Sequence, residues 1–299
     1  MRVFITGSSG FIGKHVLNLL LKHDHTVLAL TRSKKKDGNI EGFLTYIHGD
    51  LQDITNLTAT VKSFKPDAII HLAWQGIPDY SKEMSYKNFE LSKNLFNMAV
   101  EIECKCILTT GSCWEYVERK GILKENDKLE SEEYFPKVKN SLRLFGEDLS
   151  NKNNILFYWL RLFYVYGPGQ KRNSLIPHII DSLLAGKIPQ IQTPYNKNDF
   201  IFVEDVAEAI VRVLEHQPLK KIFNVGYGHS LAVKDIIKTI CDISHIAFEE
   251  STFIKKQTID IQDFWADINS IQNNIEWKPK FNIESGIRKT IKYFIREKT

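Results

Sequence analysis

The chain opens with Met1-Arg2-Val3-Phe4-Ile5-Thr6-Gly7-Ser8-Ser9-Gly10-Phe11-Ile12-Gly13, followed by the helical pattern Lys14 to Lys22. The order of an apolar strand, a glycine turn and an amphipathic helix indicates a phosphate site at the start of the helix, where free N–H groups and the helix dipole favour an anion. Gly7 permits the tight turn, Gly10 lets the backbone approach a pyrophosphate, and Gly13 lets the helix pack on the sheet. This stretch therefore predicts binding of a dinucleotide.

Apolar runs alternate with helical patterns through residue 165, which is typical of parallel strands joined by crossover helices. The predicted strands are Thr26–Leu30, Leu44–His48, Ala68–Ala73, Cys106–Thr110 and Ile155–Leu160. The two longest helical patterns run from Met84 to Cys104 and from Lys137 to Asn151. The sequence thus predicts an α/β fold with a Rossmann-type doubly wound parallel sheet.

The alternation loosens after Tyr166-Gly167-Pro168-Gly169, which suggests a second part of the chain. We expect a dinucleotide-binding domain over residues 1–165 and a smaller C-terminal substrate-binding lobe over residues 166–299. A helix from Phe200 to Glu215 and a strand from Ile222 to Val225 are predicted to return to the first domain, so that residues 200–226 belong with it.

Composition excludes several classes of protein. The 299 residues are 43% hydrophobic and 25% charged, which suits a globular protein with a full core. A net charge of +4 and one local basic cluster, Arg32 with Lys34 to Lys36, do not predict nucleic-acid binding. No apolar run is long enough for a membrane span, and the first residues form a strand rather than a signal peptide, so we expect a cytoplasmic protein. The four cysteines have no zinc-site spacing, and no structural metal is expected.

The T-G-x-x-G-x-x-G spacing of residues 6–13 resembles that of the extended short-chain dehydrogenase/reductase superfamily, whose members modify nucleotide sugars. Arg161 to Gln170 resembles the family segment R-L-F-N-V-Y-G-P-G-Q, and Asn198 to Ala207 resembles R-D-F-x-H-V-D-D-V-A. Trp277-Lys278-Pro279 matches the closing segment, so the resemblance covers essentially the whole chain. It implies that an NAD(P) cofactor is bound by Gly7, Ser9, Gly10, Phe11, Ile12, Gly13, Asp50, Leu51, Leu72, Ala73, Lys139 and Phe163.

The end of the second strand decides between the two nicotinamide cofactors. Enzymes that use NAD carry an acidic residue there for the ribose hydroxyls, whereas this strand ends Leu30-Thr31-Arg32-Ser33-Lys34. Arg32 and Ser33 can instead hold the 2′-phosphate of NADP(H) by charge-assisted hydrogen bonds. The sequence favours NADP(H), with a solvated basic loop as the competing interpretation.

Two family elements carry the chemistry. Thr110-Gly111-Ser112-Cys113-Trp114-Glu115-Tyr116 matches the segment whose hydroxyl bonds the reacting sugar oxygen, which implies that role for Ser112. The second element is Y-x-x-x-K, in which the lysine binds the nicotinamide ribose and lowers the pKa of the tyrosine that transfers the proton. Lys139 matches the lysine, but Phe135 stands where the family has tyrosine.

Three accounts of Phe135 stay open. The first account is that residue 135 is an engineered Tyr-to-Phe substitution that traps a ligand. The second is that this chain is a natural homologue that has lost the proton transfer. The third is that the neighbouring Tyr134 is the proton-transferring tyrosine in a shifted alignment. We favour the first, because the glycine turn, Asp50, Ser112 and Lys139 are all retained and phenylalanine deletes only the hydroxyl.

The substrate side departs from the family at three positions. Tyr164 replaces the usual Asn, Asn198 the usual Arg and Phe202 the usual His, at positions from which family members normally contact the substrate pyrophosphate. Arg172, Lys171 and Lys197 are nearby cations that either replace those contacts or are solvated surface charges. The predicted substrate-binding residues are Trp74, Ser112, Cys113, Trp114, Tyr164, Arg172, Asn173 and Leu175.

The resemblance also selects a reaction. Family 4,6-dehydratases carry an acid pair directly after the catalytic hydroxyl residue, where this chain has Cys113 and Trp114, so dehydration is not expected. Epimerases retain NAD, whereas reductases draw NADPH from solution, and Arg32 therefore favours a reductase. We predict NADPH-dependent reduction of the C4 keto group of a nucleotide-linked 4-keto-6-deoxy sugar, for deoxysugar, polysaccharide or lipopolysaccharide biosynthesis. A nucleotide-sugar 4-epimerase and a catalytically inactive NADP-binding regulator are the alternatives.

The family pairs two helices of each subunit into an intermolecular four-helix bundle, which implies a homodimer. The corresponding helices here are Met84 to Cys104 and Lys137 to Asn151. Leu91, Leu95, Leu142 and Phe145 are the candidate contacts, with packing inside the chain's own core as the alternative.

Overall fold

A computed structural model of the protein describes residues 1–33, 38–40, 42–129, 131–253 and 260–297, so Lys34 to Lys36 of the basic cluster lie outside the described residues. In chain order the strands are β1 (Arg2–Thr6), β2 (Thr26–Thr31), β3 (Gly38–Ile40), β4 (Leu44–His48), β5 (Ala68–His71), β6 (Cys106–Ser112), β7 (Lys120–Leu123), β8 (Leu156–Leu162), β9 (Tyr164–Tyr166), β10 (Lys197–Asn198), β11 (Phe200–Phe202), β12 (Ile222–Val225), β13 (Leu231–Ala232) and β14 (Asp263–Ala266). The helices are α1 (Phe11–Lys22), α2 (Ile54–Phe64), α3 (Lys82–Glu101), α4 (Tyr134–Asn153), α5 (Leu175–Leu184), α6 (Val203–His216), α7 (Val233–Ile243), α8 (Glu250–Phe253), α9 (Asn269–Ile275) and α10 (Ile283–Arg296).

The main sheet has the strand order β12-β8-β6-β5-β1-β2-β4-β3. Neighbouring strands are parallel except β3, which pairs antiparallel with β4 at one edge. The chain builds outward from β1 on one side and then crosses back to β5 on the other, so the order reverses between β1 and β5. Ligands of such sheets bind at the carboxyl ends of the strands beside this reversal. The predicted Rossmann-type α/β fold is confirmed.

Helices cover both faces of the sheet, as β1 shows residue by residue. Val3 and Ile5 pack into the cluster that includes α6 and α9, whereas Phe4 points into the opposite cluster with α3 and α4. All three side chains are fully buried, because alternate residues of a central strand face opposite layers. No helix within the described ranges is both long and apolar enough to cross a membrane.

The candidate dimer contacts lie inside the chain. Leu91, Leu95 and Leu142 are buried in the cluster between the sheet and helices α3 and α4, and Phe145 packs against it. Leu91, Leu95 and Leu142 therefore pack inside the chain's own core, which is the alternative interpretation, because α3 and α4 turn their apolar faces toward their own sheet. Phe145 is only partly buried, and its contact with a second subunit stays a prediction. Tyr86 and Leu144 are apolar residues exposed on these two helices.

The second part of the chain contains a four-stranded sheet of order β13-β10-β14-β7 and a cluster formed by α5, α7 and α10. The predicted helix from Phe200 is shorter, because Phe200–Phe202 pairs with Tyr164–Tyr166 as a strand before α6 starts at Val203. β7 reaches across from the first part of the chain, and Trp277 packs back against the main sheet. The chain thus passes between the two parts repeatedly, and the division at residue 165 stays a prediction.

Candidate active site

A cleft of about 500 Å³ opens where β1, β5, β6 and β8 end, beside the reversal of strand order. The glycine turn forms one wall, the start of α4 and the segment after β6 form another, and β9 with residues 170–174 closes the substrate side. The cleft brings together residues that are far apart in the sequence, including Gly7, Ser112, Phe135, Lys139 and Phe163.

The glycine turn is as tight as its sequence predicts. Gly7 has a φ of +77°, and a Cβ on it would lie 2.6 Å from the backbone nitrogen of Ala73. A Cβ on Gly13 would lie 2.0 Å from the carbonyl oxygen of Gly7, so Gly13 is required where the helix start meets the turn. The Gly10 amide donates to the Gly7 carbonyl at 2.9 Å, and Ser9 is exposed. This close backbone cradle fits the pyrophosphate of a dinucleotide.

Arg32 and Asp50 line a second cavity, of about 650 Å³, at the ends of β2 and β4. The Asp50 carboxylate accepts from the Gln52 amide at 3.0 Å, and Leu51 behind it is buried. The Ser33 amide donates to the Thr31 hydroxyl at 3.1 Å, and the Arg32 side chain is exposed at the cavity. These residues are placed as an adenosine site requires, although their roles stay predictions.

Ser112 and Lys139 both face the cleft. The Ser112 hydroxyl accepts from the Trp114 amide at 3.2 Å, so its own proton is available for another acceptor. The Lys139 ammonium donates to the Thr110 carbonyl at 2.8 Å and lies 3.8 Å from the centre of the Trp74 ring. Burial lowers the pKa of Lys139 to about 7, against the opposing charge of Glu115. A hydroxyl donor and a buried ammonium group therefore line the same cleft.

A buried ion pair behind Ser112 was missed by the sequence analysis. Glu115 accepts from the Arg161 guanidinium at 2.9 Å, and both side chains have no solvent exposure. A carboxylate oxygen of Glu115 also accepts from the Ser112 amide at 2.8 Å, which holds the Ser112 backbone in place. A Cβ on Gly111 would lie 2.2 Å from the same carboxylate, so this packing leaves no spare room. A lone arginine directly after an apolar strand was the available signal.

Phe135 lies within an aromatic cluster in the cleft. Its ring centre is 4.9 Å from that of Tyr80, 5.5 Å from Trp74 and 6.0 Å from Trp114. It stands one helical turn before Lys139, as the tyrosine of Y-x-x-x-K would. Tyr134 is 46% exposed and faces Lys82, so the alignment in which Tyr134 serves places its phenol outside the cleft. Tyr80 is a phenol in the cleft that sequence reasoning did not single out.

Of the three cations near the substrate side, Lys171 lines the cleft, where its ammonium donates to the Ile77 carbonyl. Arg172 instead pairs with Asp181 at 2.8 Å and Glu297 at 3.2 Å, and Lys197 pairs with Asp263. The structure therefore does not bring Arg172 to the other predicted site residues.

The other predicted substrate residues divide in the same way. Trp74, Cys113, Trp114 and Tyr164 line the cleft, and the Trp114 indole donates to the Tyr164 hydroxyl at 3.4 Å. Asn173 is exposed, and Leu175 packs against the cluster of the second part.

The two remaining departures from the family pattern are buried. Asn198 is 7% exposed on β10, and Phe202 packs its ring 4.7 Å from that of Phe281. Phe202 therefore belongs to an apolar core rather than to a phosphate site.

A model of the NAD dependent epimerase/dehydratase family matches residues 3–226. The chain is similar to the CDP-abequose synthase of Salmonella typhimurium, with 28% identity over 97% of each chain. It is equally similar, at 28% identity, to the dTDP-4-dehydro-6-deoxyglucose reductase of Escherichia coli, over 97% of this chain and 96% of the relative. Both relatives are named for reactions of nucleotide sugars.

The fold is similar to that of UDP-glucuronic acid 4-epimerase from Bacillus cereus in complex with NAD. The TM-score is 0.86 at 21% identity, and the likeness covers all of both chains. At this identity the likeness establishes the fold.

Proposed function

The chain belongs to the NAD-dependent epimerase/dehydratase family, and from this premise we propose that it reduces the C4 keto group of a nucleotide-linked 4-keto-6-deoxy sugar with NADPH. The observation that carries the proposal is the meeting of Ser112 and Lys139 in one cleft beside the glycine cradle. Cys113 and Trp114 follow Ser112 where a dehydratase would need two acids. Similarity to a dTDP-4-dehydro-6-deoxyglucose reductase supports the same reaction.

Each cleft residue has a defined role in this proposal. Bound NADPH would supply the hydride for the sugar C4. Ser112 donates its free proton toward the C4 oxygen and polarises the carbonyl. Lys139 holds the ribose hydroxyls. Burial lowers the pKa of Lys139 to about 7, and negative charge that develops on the nearby C4 oxygen would favour its ammonium form. In this proposal the lining cation Lys171, whose ammonium donates to the Ile77 carbonyl, pairs with the substrate diphosphate.

Phe135 occupies the position of the family's proton donor in this proposal and has no proton to give. The proton for the C4 oxygen then comes from water, which makes turnover slow, or from the phenol of Tyr80, whose ring lies 4.9 Å from that of Phe135. Burial raises the pKa of Tyr80, which keeps its hydroxyl protonated at neutral pH.

The substrate class is tested with NADPH and a panel of 4-keto-6-deoxy sugars linked to dTDP, CDP, GDP or UDP. We expect one of them to oxidise one NADPH per sugar, with a 4-hydroxy sugar as product. Product analysis by mass spectrometry and loss of NADPH absorbance give the stoichiometry. Interconversion of sugar epimers without net loss of NADPH would overturn the reductase proposal.

The cofactor preference is tested at Arg32. If its guanidinium pairs with the 2′-phosphate, Arg32→Ala should weaken NADPH binding by about 1.5–3 kcal/mol. NADH lacks that phosphate and should bind almost unchanged, which makes it the internal control. Calorimetric titration of both cofactors measures the difference, and an equal loss for both would contradict the NADP assignment.

Two alternatives have a specific observation behind them. One similar structure is that of a 4-epimerase, and if this chain were an epimerase it would keep its nicotinamide cofactor bound through many turnovers. Phe135 favours an NADP-binding regulator, which would bind cofactor without consuming it. The sugar panel separates all three by cofactor consumption.

A homodimer through the exposed faces of α3 and α4 also stays a proposal, with Tyr86 and Leu144 as its candidate contacts.

A further inference from the structure

Two histidines and a glutamate meet at the end of the molecule opposite the cleft. His23 and His25 lie between α1 and β2, and Glu215 lies in the last turn of α6. One carboxylate oxygen of Glu215 is 2.9 Å from His23 Nδ1 and 2.9 Å from His25 Nε2. All three ligand atoms lie within 4.8 Å of one another. We propose that this cluster binds a divalent transition-metal ion of the zinc type.

The ligand set suits zinc in number, kind and spacing. Two imidazole nitrogens and one carboxylate oxygen, with water in the fourth position, form a common zinc coordination sphere. Ligand atoms on one tetrahedron around zinc are about 3.3 Å apart, given bonds of about 2.0–2.1 Å. The observed 2.9 Å spacings from each ring nitrogen to the Glu215 carboxylate need to widen by only a few tenths of an ångström, and the two nitrogens lie within 4.8 Å of each other.

The backbone holds the two rings on one side before any ion binds. Asp24, between the histidines, has a φ of +58°, and the His25 amide donates to the Leu20 carbonyl at 3.0 Å. The two ring centres lie 6.5 Å apart, with an angle of 24° between the ring planes. His25 is 5% exposed, so its side chain is confined by packing. A site with ligands already fixed loses little conformational entropy on binding.

The two helices that meet at the cluster favour a cation there. His23 caps the carboxyl end of α1, and Glu215 lies at the carboxyl end of the neighbouring α6, so two negative helix ends converge. Burial alone would raise the pKa of Glu215, but hydrogen bonds from both histidines outweigh it and the pKa lies below the ordinary value. The carboxylate is therefore ionised and accepts from both rings.

Proton positions change in a defined way when the ion binds. Each ring must present a lone pair to the metal on His23 Nδ1 and His25 Nε2, so a ring N–H can lie only on the other nitrogen. The other nitrogen of His25, Nδ1, lies 3.2 Å from the Met1 amino nitrogen. The carboxylate needs no change.

The proposed site is separate from the proposed chemistry. α1 has 12 residues and leads from the glycine turn to His23, which places the cluster about 18 Å from that turn. An ion here joins the end of α1 to the end of α6 and acts on stability. This site departs from the expectation of no structural metal, which rested on the spacing of cysteines.

The test uses the full chain, stripped of metal and titrated with ZnSO₄. We expect one ion per chain, and zinc at about 100 times its Kd should raise the unfolding midpoint by about 5 °C. His23→Ala and Glu215→Gln should each weaken binding at least about tenfold. Both changes are at partly exposed side chains, and without zinc both variants should unfold close to the parent temperature.

His216→Ala is the matched control. His216 is an exposed histidine next to Glu215, with its ring bonded to the Arg212 carbonyl of its own helix. This variant should bind zinc like the parent. Co²⁺ provides a second readout, since tetrahedral coordination gives it a visible absorption that His23→Ala should abolish. No saturable binding, or binding that His23→Ala and Glu215→Gln leave unchanged, would overturn the site.

Discussion

Phe135→Tyr should raise kcat for sugar reduction by about 10²–10⁴-fold with little change in KM. The ring of residue 135 already lies in the cleft one turn before Lys139, so tyrosine adds a hydroxyl without rebuilding the site. The ammonium of Lys139, 6.0 Å from the centre of that ring, would favour the ionised phenol as the proton leaves. Stopped-flow measurement of NADPH oxidation in single turnovers isolates this step.

Two phenols provide the controls. Tyr134→Phe changes an exposed residue beside position 135 and should leave turnover as it is. Tyr80→Phe in the Phe135→Tyr background should also have little effect if residue 135 donates the proton. If Phe135→Tyr gains nothing while Tyr80→Phe abolishes turnover, Tyr80 is the donor and the role proposed for position 135 is wrong.

The sequence predicted the main sheet well because its strands are short runs of apolar residues buried on both faces. Such runs can be recognised without knowing which segments pair with them. The strands Leu44–His48 and Ile222–Val225 match their predictions residue for residue. Other ends depend on partners. β6 and β8 each continue two residues past the prediction, since Ser112 pairs with Leu162. The first residues of the helix predicted from Phe200 form a strand for the same reason, because they pair with Tyr164–Tyr166.

In the candidate site, too, local sequence signals were more reliable than features that depend on distant partners. Glycine spacing is a local signal, and Gly7 and Gly13 are required where the sequence placed them. Arg172 was chosen for its charge, but Asp181 and Glu297, distant in sequence, hold it elsewhere. Tyr80 and the cluster around Glu215 come together only through the fold. The sequence thus predicted the residues that shape the local backbone better than the residues whose position depends on contacts distant in sequence.

Glu115→Ala should lower the free energy of unfolding by about 3–5 kcal/mol, which is the usual cost of leaving one charge of a buried pair alone. Arg161 has no solvent exposure, so water cannot replace the lost carboxylate. The Trp159 indole and the Ser112 amide lose the same acceptor. Urea denaturation followed by circular dichroism measures the change.

The pair Arg143–Glu147 on α4 is the matched control, because its side chains are 12% and 32% exposed and it joins residues one turn apart. Glu147→Ala should cost only about 0.3–0.5 kcal/mol, as solvent screens such pairs. Replacing both buried partners, Glu115→Leu with Arg161→Met, should recover much of the stability lost in Glu115→Ala, since no charge then remains unpaired. The double variant should still turn over more slowly than the parent, because the Ser112 amide has lost the carboxylate that positions it. A cost for Glu115→Ala no larger than that of Glu147→Ala would show that the buried pair does not stabilise this end of the sheet.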